Sequence, residues 1–95
     1  RLPALSRFFA KNFMGARVFN QASWDKAIFY MEKAVQLDPE RIYHHLELAD
    51  IYAARKRLRD AGTQLRLVDS LPVREAMDTN YKQQAASLRS RLAKR

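Results

Sequence analysis

The chain has 95 residues, with 18 Lys and Arg against 10 Asp and Glu, no Cys, two Gly and three Pro. A chain of this size forms one small domain that buries roughly 60–65% of its unfolded surface, which excludes a large enzyme with a deep reaction chamber. The absence of Cys excludes a disulfide framework, a thiolate zinc site and a Cys nucleophile.

The net charge of +8 is unevenly distributed. Residues 1–47 carry seven basic and five acidic side chains, whereas residues 48–95 carry eleven and five. The second half therefore favours polyanions such as nucleic acid, acidic headgroups or acidic protein surfaces, without choosing between them. Because the chain begins with Arg1 rather than Met, we expect a processed chain or a piece of a longer one.

The first predicted element is an unusually aromatic N-terminal helix. It carries more apolar surface than one partner helix can cover, which favours packing on preceding repeats, with binding of a partner or self-association as the alternative. Its apolar residues are Leu2, Leu5, Phe8, Phe9, Phe13, Met14 and Phe19.

The second predicted helix runs from about Trp24 to Leu37. Ser23 suits its N-cap, because a serine hydroxyl accepts a hydrogen bond from an unpaired N–H of the first turn. Asp38-Pro39 ends this helix, because proline cannot continue its backbone hydrogen bonding.

Two more helices follow from the spacing of apolar residues. The third opens at Pro39 and Glu40 and fades at residues 55–57. The fourth covers residues 60–68 and is terminated by Leu71-Pro72.

The last predicted helix starts at about Arg74 or Asp78 and ends at about Ala93. Its outer face of Lys, Gln, Ser and Arg is typical of a terminal capping helix, which must turn a polar face to water. Its apolar stripe consists of Tyr81, Ala85, Leu88 and Leu92.

The chain also matches itself at a shift of 34 residues. Large residues fall on large ones and small on small, as expected where Gly or Ala lets two helices approach closely. The matches are Met14 on Leu48, Gly15 on Ala49, Val18 on Tyr52, Trp24 on Leu58, Ala27 on Ala61, Met31 on Leu65, Ala34 on Val68 and Leu37 on Leu71.

This pattern resembles the tetratricopeptide repeat, a helix-turn-helix unit. Gly15, Ala27, Ala34 and Pro39 fill its characteristic small and proline positions in the first unit. The resemblance implies an α-α superhelix with repeat one at about 8–41, repeat two at about 42–75 and a capping helix at about 76–94.

A narrower resemblance rests on three stretches. They are Arg7-Phe8-Phe9-Ala10-Lys11, Ala22-Ser23-Trp24, and Leu71-Pro72 followed by Asp78, Tyr81 and Ala85. They look like the C-terminal region of bacterial relatives of the regulator of microtubule dynamics family. The resemblance implies the fold and a binding character, and slightly favours the bacterial periplasm over the cytoplasm; the microtubule role of eukaryotic members is not carried over.

Repeats of this type bind peptides in a groove lined by the first helix of each pair. The lysines of carboxylate-clamp members are missing here, and the aromatic positions favour an apolar or helical partner. Packing on a neighbouring repeat explains the same residues equally well. The implied binding residues are Phe9, Asn12, Phe13, Phe19, Asn20, Tyr43, Leu46 and Asp50, with Ala16, Ala53 and Ala54 beside them.

Arg55, Lys56, Arg57 and Arg59 form the densest run of charge. They could contact phosphate or carboxylate groups, helped by other basic residues of the second half if the fold gathers them. A basic helix C-terminus that complements the helix dipole, followed by a soluble turn, is the simpler interpretation.

The remaining polar residues do not predict catalysis. His44 and His45 point about 100° apart on a helix and cannot bind one ion from the same face, so His45 is expected to pack and His44 to face solvent. No strained nucleophile turn or phosphate-binding glycine loop is present.

The sequence therefore predicts a single all-α domain with no catalytic, metal or cofactor site. We expect a non-enzymatic protein-interaction module whose partner is a protein, a peptide or neighbouring repeats of the same chain. A basic module that binds nucleic acid or an acidic membrane surface is the alternative.

Overall fold

The computed structural model of the protein describes residues 21–94, which contain four α-helices and no strand. The helices are α1 (Gln21–Leu37), α2 (Ile42–Ala54), α3 (Leu58–Ser70) and α4 (Asp78–Ala93). The all-helical class is confirmed for this part of the chain. The aromatic helix expected within residues 1–20 lies outside the described residues.

Two predicted helix starts are wrong. Ser23 lies within α1 rather than at its N-cap, because the good helix formers Gln21 and Ala22 already have helical backbone. Pro39 lies in a turn before α2, in which the Arg41 N–H donates to the Asp38 carbonyl at 3.2 Å. Helix α2 therefore begins at Ile42 rather than at Pro39 or Glu40.

The turn between α2 and α3 has the geometry of a Schellman motif. The Arg57 N–H donates to the Tyr52 carbonyl at 2.8 Å, and the Lys56 N–H donates to the Ala53 carbonyl at 3.0 Å. Lys56 has a φ of 63°, the left-handed conformation that glycine usually supplies at this position. The chain thus reverses within three residues, and α3 packs back on α2.

Helix α2 is the centre of the fold. It packs against α1, α3 and α4, and α3 also packs against α4. Because α2 has partners on several sides, apolar residues occur around most of its circumference. One core cluster joins Ile42, Leu46 and Ala49 to Leu65, Val68, Ala85 and Leu88, and a second joins Leu48, Ile51 and Tyr52 to Trp24, Ile28 and Ala61.

Small side chains lie where the helices approach each other. Ala49 and Ala61 are both 0% exposed, and Ala27 packs against the second cluster. Their surroundings explain the alternation of small and large residues, since a larger side chain at either fully buried alanine would push the helices apart. Ala34, another of the small positions, is half-buried, whereas Gly15 lies outside the described residues.

Candidate interaction surfaces

Two ion pairs at one end of the molecule each join residues that are 34 positions apart in the sequence. Arg41 Nη1 donates to both carboxylate oxygens of Glu75, at 2.9 and 3.2 Å, while Arg74 Nη1 donates to Glu40 Oε1 at 3.1 Å. Arg41 Nε also donates to Asp38 Oδ2 at 2.9 Å, and this hydrogen bond is the main reason that the pKa of Asp38 is lowered. These pairs join the α1–α2 turn to the α3–α4 loop.

The α3–α4 loop is further fixed by Asp78, which is 2% exposed. Its Oδ2 accepts the backbone N–H groups of Arg74 and Glu75, each at 2.8 Å. From the sequence, Asp78 is predicted only as a possible start of the last helix and as part of the family resemblance. Its spacing of three and four residues from those amides, just after Leu71-Pro72, is the signal for this role.

Lys82 makes a contact that was not predicted from the sequence. Its ammonium group donates to the backbone carbonyls of Val68, Asp69 and Leu71 at 2.8, 3.0 and 2.6 Å. These carbonyls lie at the C-terminal end of α3, where helix carbonyls have no helical partner and where the dipole favours a cation. Lys82 therefore caps α3 from α4, a tertiary contact that local sequence does not reveal.

The structure separates the groove residues expected on α2. Tyr43 is half-buried against Tyr81 of α4, with ring centroids 5.2 Å apart. Asp50 is also half-buried, whereas Leu46 is 1% exposed and belongs to the core. Leu46 thus has almost no surface to offer a partner. The other expected groove residues, Phe9, Asn12, Phe13, Phe19 and Asn20, lie outside the described residues.

The four cations of the basic turn, Arg55, Lys56, Arg57 and Arg59, lie at the junction of α2 and α3. The guanidinium of Arg55 lies 5.4 Å from the centre of the Trp24 ring, and that of Arg57 lies 4.6 Å from the centre of the Tyr52 ring. Arg57 is also paired with Asp60 at 2.8 Å. Lys56 and Arg59 are exposed.

Three other basic residues of the second half make contacts elsewhere within the fold. Arg74 pairs with Glu40, Arg89 pairs with Asp69 at 2.6 Å, and Lys82 caps α3. Part of the positive charge counted in the sequence therefore stabilises contacts within the fold.

The two histidines occupy different environments. His45 is 2% exposed, and its Nε2 donates to the Pro39 carbonyl at 2.6 Å while Nδ1 lies 2.6 Å from Gln64 Oε1. His44, expected to face solvent, is half-buried. Burial, followed by the charge of Arg41, lowers the pKa of His44.

Tyr52 links α1 to α2. Its hydroxyl donates to Glu32 Oε2, and burial together with this carboxylate raises the pKa of Tyr52 well above its ordinary value. The phenol therefore stays protonated and acts as a donor between the two helices.

Helix α1 presents apolar residues on the side away from α2. Phe29, Tyr30 and Leu37 are 57%, 60% and 79% exposed, and the two rings meet edge to face with centroids 5.6 Å apart. Lys33 lies 5.9 Å from the centre of the Phe29 ring. Spacings of three, four and seven residues place these side chains on one face.

Residues 21–94 contain no helix long and apolar enough to cross a bilayer. The same residues contain no group of three or more His, Asp or Glu side chains that could hold a metal ion.

Residues 21–94 define an all-helical unit of short, closely packed helices joined by turns and one loop. The sequence model of the family described as Regulator of microtubule dynamics protein 1-3 matches residues 1–93. The chain belongs to this family. No curated protein and no solved structure is significantly similar to it.

Proposed function

We propose that the chain is a non-enzymatic protein-interaction module of tetratricopeptide type. The observation that carries this proposal is the exposed apolar face of α1, formed by Phe29, Tyr30 and Leu37. Several large apolar side chains on one helix face exceed what the packing of residues 21–94 requires and are typical of a surface that binds protein. The expected partner is an apolar or helical segment of another protein.

The repeat interpretation is supported by contacts between positions 34 residues apart. Glu40 with Arg74, and Arg41 with Glu75, are equivalent positions of the two proposed units. Neighbouring units of a helical array contact each other in this way, because each unit packs only on the next. The proposed groove then contains Tyr43 and Asp50, together with Phe9 and Phe13 from residues outside the described part.

Partner capture with paired substitutions tests this function. The variant with Phe29→Ala and Tyr30→Ala, and the variant with Phe9→Ala and Phe13→Ala, should each lose most of the protein captured from a cell extract. Leu67→Ala removes an apolar side chain that is 37% exposed on α3 and should not change capture. Unchanged capture by both double variants, with helical circular dichroism preserved, contradicts the proposal.

Polyanion binding is the second candidate, and the basic turn favours it. Arg55 and Arg57 are held over aromatic rings, so that Lys56 and Arg59 project from an ordered frame. A salt titration separates the two functions. Binding to a polyanion weakens steeply with salt because counterion release is suppressed, whereas apolar contacts change little. Binding of a DNA or RNA probe that depends on Lys56 and Arg59 favours this second candidate.

A further inference from the structure

The two ends of helix α2 carry opposite charge. At its N-terminal end the four carboxylates of Asp38, Glu40, Glu75 and Asp78 outnumber the guanidinium groups of Arg41 and Arg74; these six residues form the acidic pole. The ammonium group of Lys82, which caps α3 beside this pole, leaves the carboxylates in excess by one. At the C-terminal end of α2 lie the four cations of the basic turn, with Asp60 paired to Arg57. A helix of 13 residues separates the two ends by about 20 Å.

The acidic pole also contains a concave surface. An open pocket of about 370 Å³ is lined by Arg41, Tyr43, Glu75, Ala76, Met77 and Tyr81. The packed rings of Tyr43 and Tyr81 line one side of this pocket, which we call the tyrosine pocket, and Met77, another lining residue, is 43% exposed. Aromatic faces beside a carboxylate attract a cation, and the apolar stem of a lysine or arginine side chain fits against such rings.

The negative character of this pocket is visible at Tyr81. Burial is the largest cause of the raised pKa of its hydroxyl. The negative charges of Asp78, Glu47 and Glu75 raise this pKa further. The positive charge of Arg41 is divided between Asp38 and Glu75, so it does not balance the carboxylates around it. A cation that enters the pocket would therefore gain both the aromatic and the charge contacts.

The basic turn at the opposite end of α2 carries a side chain suited to this pocket. Lys56 is exposed at the apex of the basic turn, in a left-handed conformation that costs a residue other than glycine about 1 kcal/mol. Arg55 and Arg57, on either side, are restrained by their aromatic contacts. The turn thus projects the ammonium group of Lys56 from between two restrained arginines. Its shape and charge complement those of the tyrosine pocket.

We propose that the tyrosine pocket of one copy of the chain receives the basic turn of a second copy, so that the protein associates head to tail. The contact joins two different surfaces, so each bound pair leaves a free pocket at one end and a free basic turn at the other. Two acidic poles repel each other, and so do two basic turns. Complementary charge therefore favours binding of the acidic pole of one copy to the basic turn of another.

Charge-reversed variants of the full chain test this proposal by sedimentation velocity over a range of protein concentrations. Wild type should associate as concentration rises, and Glu75→Lys and Lys56→Glu should each weaken association at least about tenfold. An equimolar mixture of the two variants should associate again, because the intact basic turn of the Glu75→Lys chain meets the intact pocket of the Lys56→Glu chain. Arg66→Glu makes the same change of charge as Lys56→Glu at an exposed position of α3 outside both poles, so it is the matched control and should behave like wild type.

Raising the salt from about 0.1 M to about 1 M should also dissociate the wild-type assembly, because the Debye length falls from about 10 Å to about 3 Å. A protein that stays monomeric at every concentration overturns the proposal. So does association that neither single variant weakens. The probe N-acetyl-arginine amide, followed by NMR shifts of Tyr43 and Tyr81, separates one further outcome: if it binds to a chain that stays monomeric, the pocket serves a different basic partner and the second-copy proposal is wrong.

Discussion

Arg41 and Glu75 lie 34 residues apart and form a two-oxygen ion pair, and their preceding neighbours, Glu40 and Arg74, form a second pair with the charges exchanged. This reciprocal arrangement joins the turn before α2 to the loop before α4. It also places equivalent positions of a 34-residue pattern in direct contact.

The first prediction concerns this ion pair. Arg41→Glu or Glu75→Arg alone should lower the urea midpoint of unfolding, because each leaves like charges facing each other. The double variant, which exchanges the two charges, should recover only part of the loss, because the carboxylate introduced at position 41 faces Asp38. The recovery should shrink at high salt, since both side chains are about 40% exposed and are screened. Losses that simply add in the double variant would show that the two groups do not interact.

The second prediction concerns the backbone at Lys56. Lys56→Gly should raise the free energy of unfolding by about 0.5–1 kcal/mol, because glycine adopts a φ of 63° without steric cost. Arg66→Gly, in the interior of α3, is the control and should lower it by about 1 kcal/mol. Destabilisation by Lys56→Gly would mean that the lysine side chain itself stabilises the turn.

The third prediction concerns the cap on α3. Lys82→Met keeps the length of the side chain but removes the donors to three carbonyls, and should cost about 1–2 kcal/mol of unfolding free energy. The exposed neighbour Gln83 provides the control, since Gln83→Met should cost less than about 0.5 kcal/mol. Equal effects of the two substitutions in urea denaturation would refute the capping role.

The fourth prediction concerns pH. Because burial lowers the pKa of His44 below 6.5, the unfolded chain takes up this proton at a higher pH than the folded chain. The neutral ring thus contributes stability that is fully present above pH 6.5 and is lost as pH falls below it. His44→Gln should flatten the pH dependence of the urea midpoint in this window. A pKa for His44 at or above 6.5, measured by NMR titration, would contradict the account.

Much of the fold follows from local sequence. The ends of α1 and α3, at Leu37 and Ser70, were predictable because Asp38-Pro39 and Leu71-Pro72 stop helices. The fully buried positions of Ala49 and Ala61 were predictable because the 34-residue match pairs small residues with small ones. Each of these signals is contained in a few neighbouring residues or in a simple period.

What the sequence could not give are contacts between distant elements. In the sequence, Lys82 is a polar residue on the outer face of the last helix. It caps α3 only because α4 packs against the end of that helix. Leu46 fits the groove register of its helix, yet α3 and α4 pack over it. Ser23 is a good cap in isolation, but helical backbone already extends past it to Gln21. Local preferences are overridden where tertiary packing supplies a stronger interaction.

Site-specific photocrosslinking in cells tests the proposed protein-binding role most directly. A photoreactive residue in place of Tyr43, in the proposed groove, should form adducts with a small set of proteins other than a second copy of this chain, whereas the same residue in place of Leu67 on α3 should form few. The adducts from position 43 should disappear in a chain that also carries Phe9→Ala and Phe13→Ala. Absence of protein adducts at position 43, or equal yields at both positions, would contradict the account.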